Sequence, residues 1–463
     1  MRGTSVLGVL LSTVVLVTVA GGAGIKRINA NANPPAYAAF SRMLNGDDRI
    51  VHALDRLTFG ARPEDSDALN RTGLNRWIEL QLNPDRVAED PVLTERLRVL
   101  DASQPTADDR AAAKIIADKL AQEKLLRAIY SNRQLEELLV DFWFNHFNVN
   151  LNKGRDRYFT AAYEREAIRP YVFAKFYDLL LATAKSPAML FYLDNWQSVA
   201  PRPTRANATP KRGLNENYGR ELLELHTLGV DGGYTQQDVI EVARCFTGWT
   251  ITKGRPLSQS ATAASDDGQF AYNDKVHDKG QKLVLGHVIP AGGGMNDGLM
   301  VLDILAHHPS TARFISLKLA QRFVADDPPP SLVNRMAETF LKTHGDLRQV
   351  MRIMLDSGEF WSEGAYRAKV KTPLEIVASA ARATGAQIDS ADALAREVQR
   401  LGEPLYRKVE PTGYSTASAD WVSSAGLLER MNFAVALAHN RVPGVTVSAA
   451  DWERLGAPEF QRH

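Results

Sequence analysis

The segment of sequence that decides the fold reads Asn215-Glu216-Asn217-Tyr218-Gly219-Arg220-Glu221-Leu222-Leu223-Glu224-Leu225-His226-Thr227-Leu228-Gly229. No other segment carries so many ionisable and amide side chains among apolar ones. One stripe of residues recurs at spacings of four, four, three and four, and consists of Leu214, Tyr218, Leu222, Leu225 and Gly229. This spacing predicts an amphipathic helix that packs one face against the core.

The candidate catalytic residues lie on the two shoulders of this stripe. Asn217, Glu221 and Glu224 line one shoulder, and Arg220 is one helical turn from Glu224. His226 lies on the other shoulder, about 140° around the helix from Glu221 at about 3.6 residues per turn. The two carboxylates could therefore share an ion or a proton that His226 does not easily reach. A core helix flanked by ion pairs explains the same pattern, and the sequence leaves both interpretations open.

Composition indicates an ordinary globular protein. Of the 463 residues, 44% are apolar and 24% are charged, and the formal net charge is +1. Such a balance gives no basic field that would attract nucleic acid. The single cysteine, Cys245, excludes an internal disulfide and a cysteine-rich metal site. Long periodic apolar segments predict a mainly α fold, with many helices in one large domain over residues 45–463.

The N-terminal segment has the pattern of an export signal. Arg2 precedes an uncharged run from Gly3 to Ile25, and small residues follow it. We expect residues 1–32 to be a cleaved signal peptide or, since a bilayer needs about 20 residues, an N-terminal anchor. The folded part is then periplasmic or extracellular, and it contacts a membrane only through this segment if the segment is not cleaved.

Other segments predict further elements. Thr235 is expected to cap a helix that runs to Thr247, and another helix is expected over Leu347–Leu355. Phe270–Tyr272 and Leu283–Leu285 alternate about the turn at His277–Gly280, which predicts one small β-hairpin. Irregular composition predicts mobile loops near residues 198–213 and 253–269.

A second group of candidates follows the helix that begins after Ser131. Its aromatic end, Asp141–Phe147, should be buried on every side, and His146 lies on its apolar stripe. A lone histidine there is more often a hydrogen-bonded core residue than a ligand. Packing of two core faces would nevertheless bring His146 towards the Glu221 shoulder. The predicted turn at His277 and Asp278 could also project polar groups over a helix end.

Together these residues suggest a site for acid/base chemistry. The expected catalytic groups are Glu221 and Glu224, polarised by His146 or His226. The expected substrate-binding groups are Asn145, Arg165, Asn217, Arg220, His277 and Asp278. Two neighbouring buried carboxylates need a cation, a shared proton or an arginine. Arg220 and Arg165 are the simplest compensators, and a divalent metal completed by His146 or His277 is the alternative. No complete phosphate-loop, dinucleotide-binding or His-Glu-x-x-His motif is present.

Several long phrases resemble one bacterial family of exported proteins, known only as the domain of unknown function numbered eighteen hundred. They are Asn215–Val230, Tyr234-Thr235-Gln236 with Thr247-Gly248-Trp249, His277–Gly286, His52–Gly60 and Asp141–Phe147. The resemblance covers nearly all of the chain after about residue 45. It implies a mainly helical exported protein, often encoded beside a sulfatase-like exported partner, and it carries no established activity.

Two functional hypotheses remain. The first is an extracytoplasmic hydrolase or lyase that acts on a polymer or conjugate with the paired carboxylates of the 215–229 helix. The second is a non-catalytic helical module that binds or matures an exported partner protein, with the same residues as a buried polar network.

Overall fold

The helical spacing of apolar side chains is realised as α-helices through most of the chain. The computed structural model describes residues 35–102, 109–201, 213–252, 268–448 and 452–463. The predicted signal or anchor at residues 1–32 and most of the predicted loops near 198–213 and 253–269 lie outside these ranges. The described residues belong to one compact unit. Within the ranges that the structure describes, no helix is both long and apolar enough to cross a bilayer.

The α-helices occur in chain order as α1 Gly46–Leu57, α2 Asp65–Thr72, α3 Leu74–Gln81, α4 Pro91–Ala102, α5 Asp109–Tyr130, α6 Gln134–His146, α7 Asp156–Ala162, α8 Phe176–Lys185, α9 Pro187–Tyr192, α10 Asn217–Glu221, α11 Gln236–Cys245, α12 Met295–Ala306, α13 Pro309–Phe323, α14 Pro330–Lys342, α15 Leu347–Leu355, α16 Pro373–Ala383, α17 Asp392–Arg400, α18 Ser424–Ala438 and α19 Trp452–Gly456. Two of them continue as π-helices, α7 over Tyr163–Ile168 and α10 over Leu222–Thr227. The predicted mainly α fold is confirmed.

Local side-chain chemistry explains where the helices begin. The Thr235 hydroxyl accepts a hydrogen bond from the Asp238 amide at the start of α11, and the Asp238 carboxylate accepts one from the Thr235 amide. Thr372 and Glu375 form the same reciprocal cap at the start of α16. Such caps satisfy amides that have no partner within the helix. The predicted cap at Thr235 is therefore confirmed.

The strands form three antiparallel pairs rather than the one predicted hairpin. They are β1 Trp249–Ile251, β2 Phe270–Tyr272, β3 Lys282–Val284, β4 His287–Ile289, β5 Gln387–Ile388 and β6 Val445–Thr446, paired as β1 with β2, β3 with β4 and β5 with β6. The predicted pairing of Phe270–Tyr272 with Leu283–Leu285 is wrong. Leu285 and Gly286 both have positive φ, +49° and +80°, and this two-residue turn reverses the chain at once. β3 therefore pairs with the strand directly after it, and β2 pairs with β1.

The aromatic end of α6 lies in the core, as its sequence predicts. Trp143 and Phe147 are fully buried, and His146 is 2% exposed. Two hydrogen bonds connect this end to the two π-helical segments. The Tyr163 hydroxyl donates to the Phe147 carbonyl oxygen at 2.8 Å, and His146 Nε2 lies 3.1 Å from the His226 carbonyl oxygen. α6 therefore positions both widened helices.

Close packing also holds α10 against α11. A Cβ atom on Gly219 would lie 3.0 Å from the main-chain oxygen of Val239, which is shorter than an ordinary van der Waals contact. Glycine at this position lets the two helix backbones approach one another. The close approach at Gly219 thus fixes α10 against α11.

Candidate functional site

The helix that carries the candidate acids is α-helical only in its first part. After Glu221 the hydrogen bonds widen, and the Leu228 amide donates to the carbonyl oxygen of Leu223, five residues earlier, at 2.9 Å. A π-helix has more residues per turn than an α-helix, so the projection at 3.6 residues per turn does not hold between Glu221 and His226. Single π segments within helices occur frequently at functional sites.

Glu221 and Glu224 are both half-buried on this helix. Burial raises the pKa of Glu221, the negative charge of Glu224 raises it further, and the charge of Arg220 opposes these effects in part. The Tyr234 hydroxyl donates a hydrogen bond to Glu224 at 3.3 Å. Among the described residues, neither carboxylate takes part in an ion pair. The two acids therefore interact electrostatically, and the charge of Arg220 offsets part of that interaction without a direct ion pair.

The two arginines that the sequence offers as compensators have partners elsewhere. Arg220 donates to Glu216 at 3.3 Å and to Gln236 at 2.9 Å. Arg165 pairs with Glu166 at 2.6 Å, and both side chains are about two-thirds exposed, at 68% and 66%. Among the described residues, neither arginine forms an ion pair with Glu221 or Glu224. Arg220 and Glu216 do form an ion pair along this helix, so the interpretation of the helix as a core element flanked by ion pairs stays open.

The rings of the two candidate histidines contact each other. The ring centroids of His146 and His226 are 6.3 Å apart, and the described contacts of His146 include neither carboxylate. Burial and, to a smaller extent, the charge of Lys318 lower the pKa of His226 to about 3. Burial and Lys318 likewise hold the pKa of His146 well below its ordinary value. Both rings are therefore neutral at neutral pH. His146 contacts His226, and its expected approach to the Glu221 shoulder stays a prediction.

His277 and Asp278 hold the segment before β3 on α11. His277 is 4% exposed, and its ring nitrogens lie 2.8 Å from the Thr247 carbonyl oxygen and 3.1 Å from Asp297 Oδ2. Asp278 accepts a hydrogen bond from Arg244 at 2.8 Å. The expectation that this pair projects from a hairpin tip is wrong, because the tip of the β3–β4 hairpin is Leu285-Gly286. Both side chains instead tie a loop to the core.

Of the remaining candidates, Asn217 is exposed at the start of α10, and Asn145 is partly buried at the end of α6. Asn145 fixes a loop, since its side-chain amide donates to the Tyr414 carbonyl oxygen at 2.8 Å and its side-chain oxygen accepts from the Tyr414 amide at 2.6 Å. Only Asn217 and Arg220 therefore accompany the two acids on one helix.

Asn145 lines a polar cavity that the sequence does not reveal. The cavity has a volume of about 60 Å³ and is bordered by Lys124, Asp141, Asn145, Glu375, Glu403 and Tyr406, among others. Burial and the charge of Asp141 raise the pKa of Glu403. Lys124 lies 2.9 Å from Asp141 and 3.4 Å from Glu164, to which the Tyr406 hydroxyl donates at 2.8 Å. The volume suits a few water molecules. The charged side chains beside the cavity form an ionic network with one another.

Sequence reasoning missed Glu403 and Lys318 for different reasons. Glu403 stands between Gly402 and Pro404, where composition indicates only a turn. Lys318 is flanked by apolar residues on its helix, where the sequence gives no sign of a neighbouring histidine. The structure gives no group of three or more histidine, cysteine, aspartate or glutamate side chains placed to hold a metal, within the ranges that it describes.

Comparison with known proteins establishes the family of this chain. Residues 52–461 match the family model described as a protein of unknown function, DUF1800, so the chain belongs to that family. No curated protein matches the chain. No solved structure matches it either. The family resemblance that the sequence motifs carry is confirmed, and the activity has to be argued from the residues themselves.

Proposed function

We propose that this protein is an extracytoplasmic hydrolase or lyase that uses Glu221 as a general acid and Glu224 as its anionic partner. The observation that supports the proposal is the pair of acids itself. Glu221 and Glu224 are half-buried, stand three residues apart and take part in no ion pair among the described residues. Burial raises the pKa of Glu221, the negative charge of Glu224 raises it further, and the charge of Arg220 offsets part of the rise. A structural pair would be expected to recruit an arginine, and the nearby Arg220 bonds to Glu216 and Gln236 instead.

The arrangement separates the roles of the two acids. A carboxyl group whose pKa is raised keeps its proton closer to neutral pH and can donate it to a leaving group. The Tyr234 hydroxyl orients the Glu224 carboxylate, which can stabilise positive charge in the transition state or activate water. The two acids are half-buried on the helix and so partly accessible to solvent, which suits a polymer or a conjugate as substrate. Exposed Asn217, one turn before Glu221, is placed to contact it.

A substrate screen tests this proposal. The purified protein would be assayed with chromogenic glycosides, carboxylic esters, sulfate esters and phosphate esters, and with polysaccharides that release unsaturated products upon lyase cleavage. We expect activity that falls as pH rises through the raised pKa of Glu221. Glu221→Gln and Glu224→Gln should each reduce kcat by about 100-fold or more.

The control is Glu338→Gln, an exposed glutamate on α14 whose side chain is 67% exposed. It should leave kcat and KM unchanged. Activity that survives unaltered in both Glu221→Gln and Glu224→Gln would remove the acid/base assignment.

A second candidate function is the binding or maturation of an exported partner, and the surface of α18 favours it. Leu427, Leu428 and Met431 are 40%, 58% and 47% exposed on this helix. Neighbouring exposed apolar side chains are typical of protein contact surfaces. The candidate partner is the sulfatase-like exported protein that the family resemblance implies. Titration of that purified protein in a calorimeter should give a complex with wild-type protein and none with Leu428→Asp; binding unaffected by Leu428→Asp would exclude this surface.

A further inference from the structure

A cluster of three basic side chains lies where α13, α6 and the π-helical end of α10 meet. Lys318 comes from α13, His146 from α6 and His226 from the π-helix. Phe314 contacts two of these side chains. Its ring centroid lies 6.2 Å from that of His146 and 5.5 Å from Lys318 Nζ. The imidazole centroids are 6.3 Å apart. Three segments distant in sequence thus bring three basic nitrogens to one place.

The hydrogen bonds of this cluster are incomplete. A carbonyl oxygen only accepts, so the His146 Nε2 that faces the His226 oxygen at 3.1 Å must carry a hydrogen. The other ring nitrogen, Nδ1, then has a free lone pair, and it is buried without a partner; Nε2 of His226 is likewise buried without one. Buried polar atoms nearly always have partners. Two orphan ring nitrogens at one place therefore point to a shared partner.

Lys318 shows the same deficit for its charge. The described residues offer its ammonium group no hydrogen bond and no ion pair, and its pKa falls to about 8 because of burial. No carboxylate contributes to the pKa of Lys318, His146 or His226, and the charges that act on the two histidines are those of Lys318 and, for His146, of His226. A partly buried cation without an anion is costly. Among the described residues, the charged groups that act on this cluster are all basic.

We propose that Lys318, His146 and His226 form a binding site for a small oxyanion, namely a carboxylate, sulfate or phosphate group. The anion would accept hydrogen bonds from the Lys318 ammonium and offset its unmatched charge. A bound anion would also favour protonation of the two imidazoles, because its negative charge stabilises their charged form. Their orphan nitrogens would then donate hydrogen bonds to it. Lys318 is only partly buried, which leaves the anion an approach from solvent.

The chemistry of the cluster argues against a cation at the same place. Neutral imidazoles are good ligands for metals, but the positive charge of Lys318 would repel a metal ion at these nitrogens. The contacts that bring its three members together, within the described part of the chain, involve neither Glu221 nor Glu224. Anion binding and acid/base catalysis can therefore be tested separately.

The test is a titration of the wild-type protein with inorganic phosphate, sulfate and acetate at constant ionic strength. Binding is followed by calorimetry and by the imidazole ¹⁵N resonances of His146 and His226. We expect one saturable site and a rise in the pKa of both rings upon binding. A response to phosphate and sulfate alone would indicate a tetrahedral anion, and a response to acetate a carboxylate.

Variants separate this site from general attraction of anions. Lys318→Met should weaken binding about tenfold or more, since it removes a charge-assisted hydrogen bond, and Lys318→Arg should retain part of it. Lys342→Met is the matched control, because this lysine is 78% exposed on the neighbouring α14, and it should bind like wild type. Glu221→Gln should bind unchanged even if it is catalytically inactive.

Stability gives an independent reading. In the absence of anions, Lys318→Met should melt at the same temperature as wild type or higher, because it removes an unmatched charge, and added phosphate should no longer raise its melting temperature. The inference is overturned if none of the three anions binds saturably to wild type, or if binding leaves the two imidazole pKa values unchanged. The wild-type titration alone decides the matter if Lys318→Met does not fold.

Discussion

His146 Nε2 lies 3.1 Å from the main-chain carbonyl oxygen of His226, so the aromatic end of α6 is hydrogen-bonded to the widened end of α10. His226 stands in the last turn of its helix, where carbonyl oxygens lack an intrahelical donor. The imidazole therefore satisfies a group that the helix itself leaves open. Both histidines are buried, whereas Glu221 and Glu224 are half-buried and are the groups that we propose for acid/base chemistry.

The first prediction concerns the stability of the acid pair. Glu221→Gln and Glu224→Gln should each leave the free energy of unfolding unchanged or raise it. Each variant removes the repulsion between two carboxylates that take part in no ion pair among the described residues. Urea unfolding at pH 7 measures this. Glu137→Gln is the contrasting variant, since buried Glu137 accepts two hydrogen bonds from Arg169, at 2.7 and 2.9 Å. It should lose about 3–5 kcal/mol, as expected when one partner of a buried pair is removed.

A loss of similar size in Glu221→Gln and in Glu137→Gln would show that Glu221 is a structural residue. The acid/base proposal would then be untenable, whatever the substrate screen returned for the wild-type protein.

The second prediction concerns the protonation of the core histidines. The folded-state pKa of His226 is lowered to about 3 from 6.5, so its contribution to stability is present above pH 6.5 and is lost as pH falls towards 3. The imidazole ¹⁵N shifts of His226 and His146 should show neutral rings at pH 5. In Lys318→Met the pKa of both rings should rise, because one of the causes of the lowered values is the charge of Lys318. Protonated rings at pH 5 in wild type would contradict the burial that lowers these values.

The helices were predictable where the pattern and the caps are local. Leu347–Leu355 forms a helix with the predicted bounds, and Thr235 caps α11 as its spacing to Asp238 implies. Strand pairing was not predictable, since the choice of partner for Phe270–Tyr272 depends on the turn at Leu285-Gly286. Strand register and partners are set by turn geometry and tertiary packing rather than by alternation alone.

The candidate site was predictable only in part. Glu221 and Glu224 stand out in the sequence because two acids follow one another on an apolar helix. The π-helical widening at Leu222–Thr227 has no composition signal, and it invalidates a rotation computed for a regular α-helix. The proximity of Lys318 to His146 depends on how α13 packs on the end of α10. Such contacts between distant segments are a property of the assembled core.

The third prediction concerns the N-terminus, which lies outside the described residues. The uncharged run after Arg2 leads us to expect export, with residues before about 33 absent from the mature chain. Mass spectrometry of the protein isolated from its native cells measures the first residue. Replacement of Val14 and Val15 by Arg should interrupt the apolar run and retain the protein in the cytosol. An intact Met1 on protein from the cytosolic fraction of wild-type cells would refute the prediction.

The last prediction concerns Asp156, a fully buried carboxyl group at the start of α7. Neither of its carboxyl oxygens has a hydrogen-bond partner among the residues that the structure describes. Lys153, whose charge acts on Asp156, pairs with Asp194 at 2.8 Å instead. Burial raises the pKa of Asp156 from 3.8 to about 9, the charge of Lys153 opposes this rise, and that of Asp194 adds to it. The group is therefore neutral in the folded protein and ionised in the unfolded chain at neutral pH.

A raised folded-state pKa makes the contribution of Asp156 to stability fully present below pH 3.8 and progressively lost up to about pH 9. Asp156→Asn removes this dependence, because the amide is neutral in both states. Its gain in the free energy of unfolding over wild type should be greater at pH 8 than at pH 5 by about 4 kcal/mol, since each pH unit in this window contributes about 1.4 kcal/mol. Urea unfolding at the two pH values measures the difference.

Asp278→Asn is the control with the opposite sign. Although burial opposes it, the hydrogen bond from Arg244 leads the interactions that lower the pKa of Asp278 below 3.8, so its contribution is present above that pH and is lost as pH falls. Asp278→Asn should therefore lose stability equally at pH 5 and pH 8. An equal effect of Asp156→Asn at both pH values would mean that Asp156 is ionised in the folded protein, and a cation would then have to be sought beside its two oxygens.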